Sequence, residues 1–224
     1  MGHHGIARMV IEKNAPDERA LDILRQEIAA CRICRDAPLG GAGARLPHEP
    51  RPVAVISSKA RILIAGQAPG LKVHESGIPF NDASGDRLRD WLQVNRETFY
   101  DRDCFAIVPM GFCFPGYDAK GSDLPPRREC APHWRSRVIS TMPQIALVLA
   151  VGQYAQAWHI GAERRENMTE TVRAWQATLA RPRLPGILPL PHPSWRNTGW
   201  IKRNPWFEAE LLPVLQERVK LLIG

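Results

Sequence analysis

Apolar residues along the chain fall into two kinds of run. Four are short and continuous: Arg61–Ala65 (RILIA), Cys104–Val108 (CFAIV), Ile145–Val151 (IALVLAV) and Ile187–Leu190 (ILPL). Runs without an alternating polar face suit strands covered on both sides in a parallel sheet. Elsewhere the apolar positions recur at helical spacing. Leu21, Leu24, Ile28 and Cys31 predict a helix from an Asp17 N-cap to Cys34. Leu88, Trp91 and Leu92 predict a second helix entered through Ser84-Gly85-Asp86, with Arg87, Arg89 and Asp90 facing away. Further helices are expected over 127–142, 153–160, 169–179 and 205–222, the last with Pro205 in its first turn. Strands alternating with helices imply an α/β fold: a three-layer α/β/α sandwich around a central, mainly parallel sheet of about four strands. No shift in composition divides the chain. One domain is expected over 1–224, opening with a helical segment (1–35) and a Pro/Gly-rich loop (36–60).

Two loops stand out against this frame. The first strand runs into Gly66-Gln67-Ala68-Pro69-Gly70, where two glycines and a proline within five residues forbid both strand and regular helix. The loop continues to Gly77-Ile78-Pro79-Phe80-Asn81-Asp82. A glycine-bracketed loop at the carboxyl end of a parallel strand is the usual ligand position in an open α/β sheet. It lacks the Gly-Lys-Ser/Thr of a triphosphate loop and the GxGxxG of a dinucleotide site. The last strand ends in Pro191-His192-Pro193-Ser194, and prolines on both sides of His192 restrict where its ring can go. Both loops are expected at the same edge of the sheet.

The chain of 224 residues carries a net charge of +7, which suits a polyanionic partner or simply a basic surface. Arg87, Arg89, Arg127, Arg128, Arg196, Lys202 and Arg203 flank the two loops and favour a polymer. No apolar run approaches the roughly 20 residues of a membrane span, and Met1-Gly2-His3-His4 begins no secretory signal. A cytoplasmic monomer is the expectation. Five cysteines, an odd number, argue against a disulfide framework.

In order and spacing, Gly66–Gly70, Gly77-Ile78-Pro79-Phe80 and His192-Pro193-Ser194 resemble the signature of the uracil-DNA glycosylase superfamily. The segments SGIPFNDASGDRLRDW and HPSWRN are similar to the corresponding regions of its single-strand-selective branch. Cys31, Cys34, Cys113 and Cys130 are similar in order to the ligands of its iron–sulfur branch. That likeness implies a [4Fe–4S] cluster pinning the N-terminal helix to the segment before Arg127. Cys104, within a strand, is then the odd one out and a core thiol; the competing reading is that all five are ordinary reduced cysteines, and zinc is disfavoured because the second pair lacks CxxC spacing.

The resemblance implies a DNA repair enzyme that flips out uracil or another damaged base and hydrolyses its N-glycosidic bond. Phe80 would stack on the base, and His192 would stabilise the negative charge developing on it. Gly66, Ala68, Pro69, Gly70 and Ser194 would hold the backbone, with Trp195 or Arg196 filling the space the base leaves. Two departures matter. Ala68 stands where the most efficient members carry the aspartate that orients water, leaving Gln67, Asp82 or His74 as substitutes. Pro109 stands where the iron–sulfur branch reads the base with asparagine, leaving Asn81 and Asp82. Slow excision follows, or a non-catalytic binder of damaged or single-stranded DNA. A third possibility, independent of the resemblance, is a hydrolase or transferase of free nucleotides.

Overall fold

The computed structural model describes residues 18–180 and 185–224, so the expected Asp17 cap lies outside the described residues. In chain order the main elements are helices α1 (Glu18–Ala29) and α2 (Ile33–Asp36), strand β1 (Ile62–Ala65), and helices α3 (Leu71–Ser76), α4 (Ala83–Leu92) and α5 (Arg96–Tyr100). Strand β2 (Phe105–Ile107), helix α6 (Cys130–Ser140), strand β3 (Leu147–Val151) and helices α7 (Gly152–His159), α8 (Met168–Arg173) and α9 (Trp175–Leu179) follow. Strand β4 (Gly186–Leu190) and helices α10 (Thr198–Arg203) and α11 (Leu212–Ile223) complete the fold.

All four strands are parallel, in the order β2-β1-β3-β4. Alternate residues of each strand enter opposite apolar layers. Leu63, Ala65, Ala106, Val148, Ala150 and Ile187 meet α1, α6 and α7 through Leu24, Trp134 and Ala155. Ile62, Ile64, Phe105, Leu149 and Leu188 meet the other layer, including Leu88 of α4, Phe99 of α5, Val172 of α8 and Leu215 of α11. This is the expected three-layer sandwich. Every strand position is buried, which is why the strands read as unbroken apolar runs. Among the described residues, no helix is long and apolar enough to cross a membrane.

Helix boundaries differ from expectation for local reasons. The first helix ends at Ala29, and Cys31 lies in the break before α2. The expected 169–179 helix is two, interrupted at Ala174. The closing helical stretch opens behind Pro205, as expected, with the Ala209 amide donating to the Pro205 carbonyl at 3.0 Å; it passes through a π-helical turn over Phe207–Leu211 into α11, whose first turn holds Pro213. Helix α3 and the start of α10 fall in segments expected as loop, and α5 lies in a stretch where no element was predicted. Within 36–60, Val55 pairs antiparallel with Ile107 at the edge of β2. Cys104 precedes β2 and is only half-buried, its thiol donating to Asp101 at 3.5 Å, so it is no core thiol.

Beyond β2 the chain is held by Arg135 of α6, a guanidinium with no solvent exposure. It donates to the carbonyls of Val108 and Pro109, each at 3.0 Å, and contacts His159. Burial pushes Arg135 down to about 10.

Candidate active site

The loops after β1 and β4 open onto one cleft of about 560 Å³ at the carboxyl edge of the sheet, in the size range of small-molecule sites. The strand order reverses direction between β1 and β3, the point at which such sheets leave a crevice. Gly66–Gly70 forms one wall. Its carbonyls are tied down: Met110 donates to Gly66 and Gly111 to Gln67, each at 2.9 Å. The amides of Ala68 and Gly70 donate to no backbone carbonyl of the described residues.

Phe80 forms the floor. Its ring packs over Gly66, where a Cβ would stand 3.4 Å from Cζ. The ring meets Phe99 edge-on at 6.1 Å. Phe80 also has a left-handed backbone (φ 54°), costly for a bulky residue and held by its neighbours. The Tyr100 hydroxyl donates to the carbonyls of Pro79 and Phe80, at 3.0 and 3.3 Å. Arg89 reaches the same Phe80 carbonyl at 3.4 Å while bonding Asp86 at 2.6 Å, and its guanidinium lies over the rings of Phe99 and Tyr100. Arg89 is therefore buried, contrary to the expectation that it faces solvent, and serves as a brace under Phe80.

His192 enters from the opposite wall. Asn197 donates to its carbonyl at 2.7 Å, and its Cβ stands 3.8 Å from where a side chain on Gly152 would begin. Gly152 has φ 79°, so β3 turns into α7 at a residue that packs against His192 with nothing in between. Burial holds the His192 imidazole below its ordinary value; Asp82 opposes this weakly. The ring is thus neutral at pH 7, with one N–H to donate. Arg87 donates to the Ser194 carbonyl at 2.9 Å and to Thr198 Oγ1 at 3.1 Å, so it ties α4 to the His192 loop. Ser194, Trp195, Arg196 and Asn197 line the mouth, with Trp195 75% exposed.

Other expected residues lie elsewhere. Asp82 lines the cleft, but its Oδ1 accepts from Gly85 at 2.9 Å as the N-cap of α4. Asn81 is absent from the cleft wall and accepts instead from Arg96 at 2.8 Å. His74 is also absent from it: the ring packs against His48 and Phe114, with Nδ1 buried and unpartnered. Arg127 and Arg128 line a separate groove, and Arg127 bonds the Ala44 carbonyl and Glu129. Conversely, Lys72 of α3 and Asp123 line the cleft without having been picked out from the sequence. The stretch around Asp123, rich in Gly and Pro, has no periodicity to signal which way it turns.

The expected iron–sulfur cluster is not supported. Cys31, Cys34, Cys113 and Cys130 do line one cavity, of about 20 Å³, with room for about one water. Among the described residues, however, no group of three or more Cys, His, Asp or Glu side chains is arranged to hold a metal ion. Burial pushes Cys113 up to about 12 and Cys130 higher still, while the Phe112 amide donates to the Cys130 sulfur at 3.3 Å.

The cleft, its two loops and the sheet all fall within residues 53–216, which match the family model of the uracil DNA glycosylase superfamily. That match covers most of the chain, and with it the glycine loop, Phe80 and His192. The protein belongs to the uracil DNA glycosylase superfamily.

Proposed function

We propose that the protein is a DNA glycosylase that extrudes a damaged base, uracil or another deaminated base, and hydrolyses its N-glycosidic bond. The observation that carries this reading is the meeting of Gly66–Gly70, Phe80 and His192 around one cleft. A flipped base stacks on Phe80, whose ring is fixed from below. As the bond breaks, negative charge grows on the departing base and the neutral His192 donates its N–H to it. A preorganised donor of this kind contributes roughly 3 kcal/mol. Gln67 holds a water through its side-chain amide, and Ser194 grips a flanking phosphate without reading sequence. Trp195, exposed at the mouth beside Arg196, fills the space the base vacates. The GIPF and HPSWRN segments ally the protein with the single-strand-selective branch.

Ala68 favours a second reading, a binder of damaged DNA without turnover. Oligonucleotides carrying uracil, hypoxanthine or xanthine, single- and double-stranded, separate the two. Alkali-labile strand breaks that vanish in His192→Ala support the glycosylase. Salt-dependent binding with no base release from any substrate supports the binder and sinks the glycosylase.

A further inference from the structure

We propose that Asp123 is the catalytic base of this cleft: its carboxylate orients the attacking water and takes its proton. The inference rests on the glycosylase reading above and supplies the acid function that Ala68 removes from the glycine loop. Asp123 belongs to the irregular segment between β2 and α6, yet it lines the cleft. Its Oδ2 lies 3.6 Å from the point a Cβ on Gly70 would occupy. A carboxylate therefore stands against the glycine loop, delivered by another part of the chain.

The backbone under Asp123 is preorganised. Tyr117 and Asp123 form an antiparallel bridge, Leu124 donates to Gly116 at 2.9 Å, and Asp118 donates to Ser122 at 2.8 Å. The Asp118 side chain in turn accepts from Lys120 and Ser122 at 2.8 and 2.9 Å, closing the turn. The Asp123 carboxylate makes no hydrogen bond to any described residue, whereas Asp82 is committed to its helix cap. The other charged or titratable groups lining the cleft are Lys72, Asp82, His192 and Arg196. Asp123 is solvent-exposed overall, but its carboxyl is pushed up, chiefly by partial burial and also by Asp82, while Arg196 pulls it down. A carboxylate raised toward the working pH is a stronger base than a free one.

In the step assigned, the C1′–N bond breaks with its electron pair leaving on the base, held by His192. The water oxygen bonds to C1′, and its proton passes to Asp123. That proton is then lost to solvent, and the base anion takes one from solvent. The products are the abasic sugar and the neutral base.

The test is single-turnover excision by wild type, Asp123→Asn, Asp123→Glu and Asp82→Asn, on whichever oligonucleotide the wild type cleaves fastest. Affinity for an oligonucleotide carrying a stable abasic analogue is measured alongside. Asp123→Asn is expected to lose roughly 10²- to 10⁴-fold in rate with unchanged affinity. The acid limb of its pH–rate profile should disappear, and Asp123→Glu should recover part of the rate. A rate within threefold of wild type with the acid limb intact overturns the assignment. So does parallel loss of rate and affinity, or a loss confined to Asp82→Asn. In these cases wild-type excision leaves the glycosylase reading standing; a wild type that binds the analogue but releases no base removes both.

Discussion

The carbonyl oxygen of Phe80 occupies the space that a side chain on Gly85 would need: a Cβ there would lie 1.7 Å from it. The first turn of α4 thus passes directly under the backbone that presents the stacking ring, and only glycine permits this approach. Gly85→Ala must displace Phe80 or the helix start, since the obstacle is backbone rather than a flexible side chain. The expected cost is about 1–3 kcal/mol, read from the midpoint of urea unfolding. Base excision should fall further than stability, because the Phe80 ring leaves the floor of the cleft. An alanine variant with wild-type stability and activity would show that the contact is not tight.

Arg87 separates a brace from a DNA contact. Both its hydrogen bonds run to the His192 loop, at Ser194 and Thr198, although the sequence placed it among the basic residues flanking the loops that favour a polymer. Arg87→Ala should lower the excision rate by loosening His192. The slope of log affinity against log salt should stay as in the wild type. A phosphate ligand, by contrast, would reduce that slope by about one on removal.

His74 predicts an acid-labile fold. Burial, then the neighbouring His48 and Arg51, holds its imidazole below the ordinary value of 6.5, and Nδ1 is buried without a partner. The unfolded chain therefore binds this proton more readily than the folded one. Stability from this source is complete above pH 6.5 and is lost as pH falls from there through the folded value. His192, depressed in the same direction, adds to the slope. His74→Phe keeps a ring against His48 and Phe114 and should flatten the decline in unfolding midpoint between about pH 6.5 and 5. An unchanged slope would assign the acid lability to other groups.

The strands were legible because each is covered on both faces and so carries an unbroken apolar run. The loops after β1 and β4 were legible because glycine and proline end those runs abruptly. Helix limits were less so: Pro205 marked the start of the closing helical stretch, but nothing local announced the π-helical turn over Phe207–Leu211, whose Phe207 and Leu211 pack into the core. Arg89 next to Leu88 read as a solvent-facing charge, since nothing local announces that Phe99 and Tyr100 will close over it. Cys31, Cys34, Cys113 and Cys130 matched a ligand pattern in order. Order does not fix how sulfur atoms are disposed in space, and the folded thiols form no metal-holding group.

By itself the amino-acid sequence determined the parallel sheet, the edge at which its loops emerge, and the pairing of a glycine turn with a proline-framed histidine. These follow from local periodicity and from backbone restrictions that act within a few residues. Only the tertiary structure decided which polar and charged groups face the cleft: Asp123 and Lys72 line it, while Asn81, His74, Arg127 and Arg128 do not. That choice depends on contacts between segments distant along the chain. Such contacts are set by how the layers pack, and a polar residue in an irregular segment carries no local mark of them.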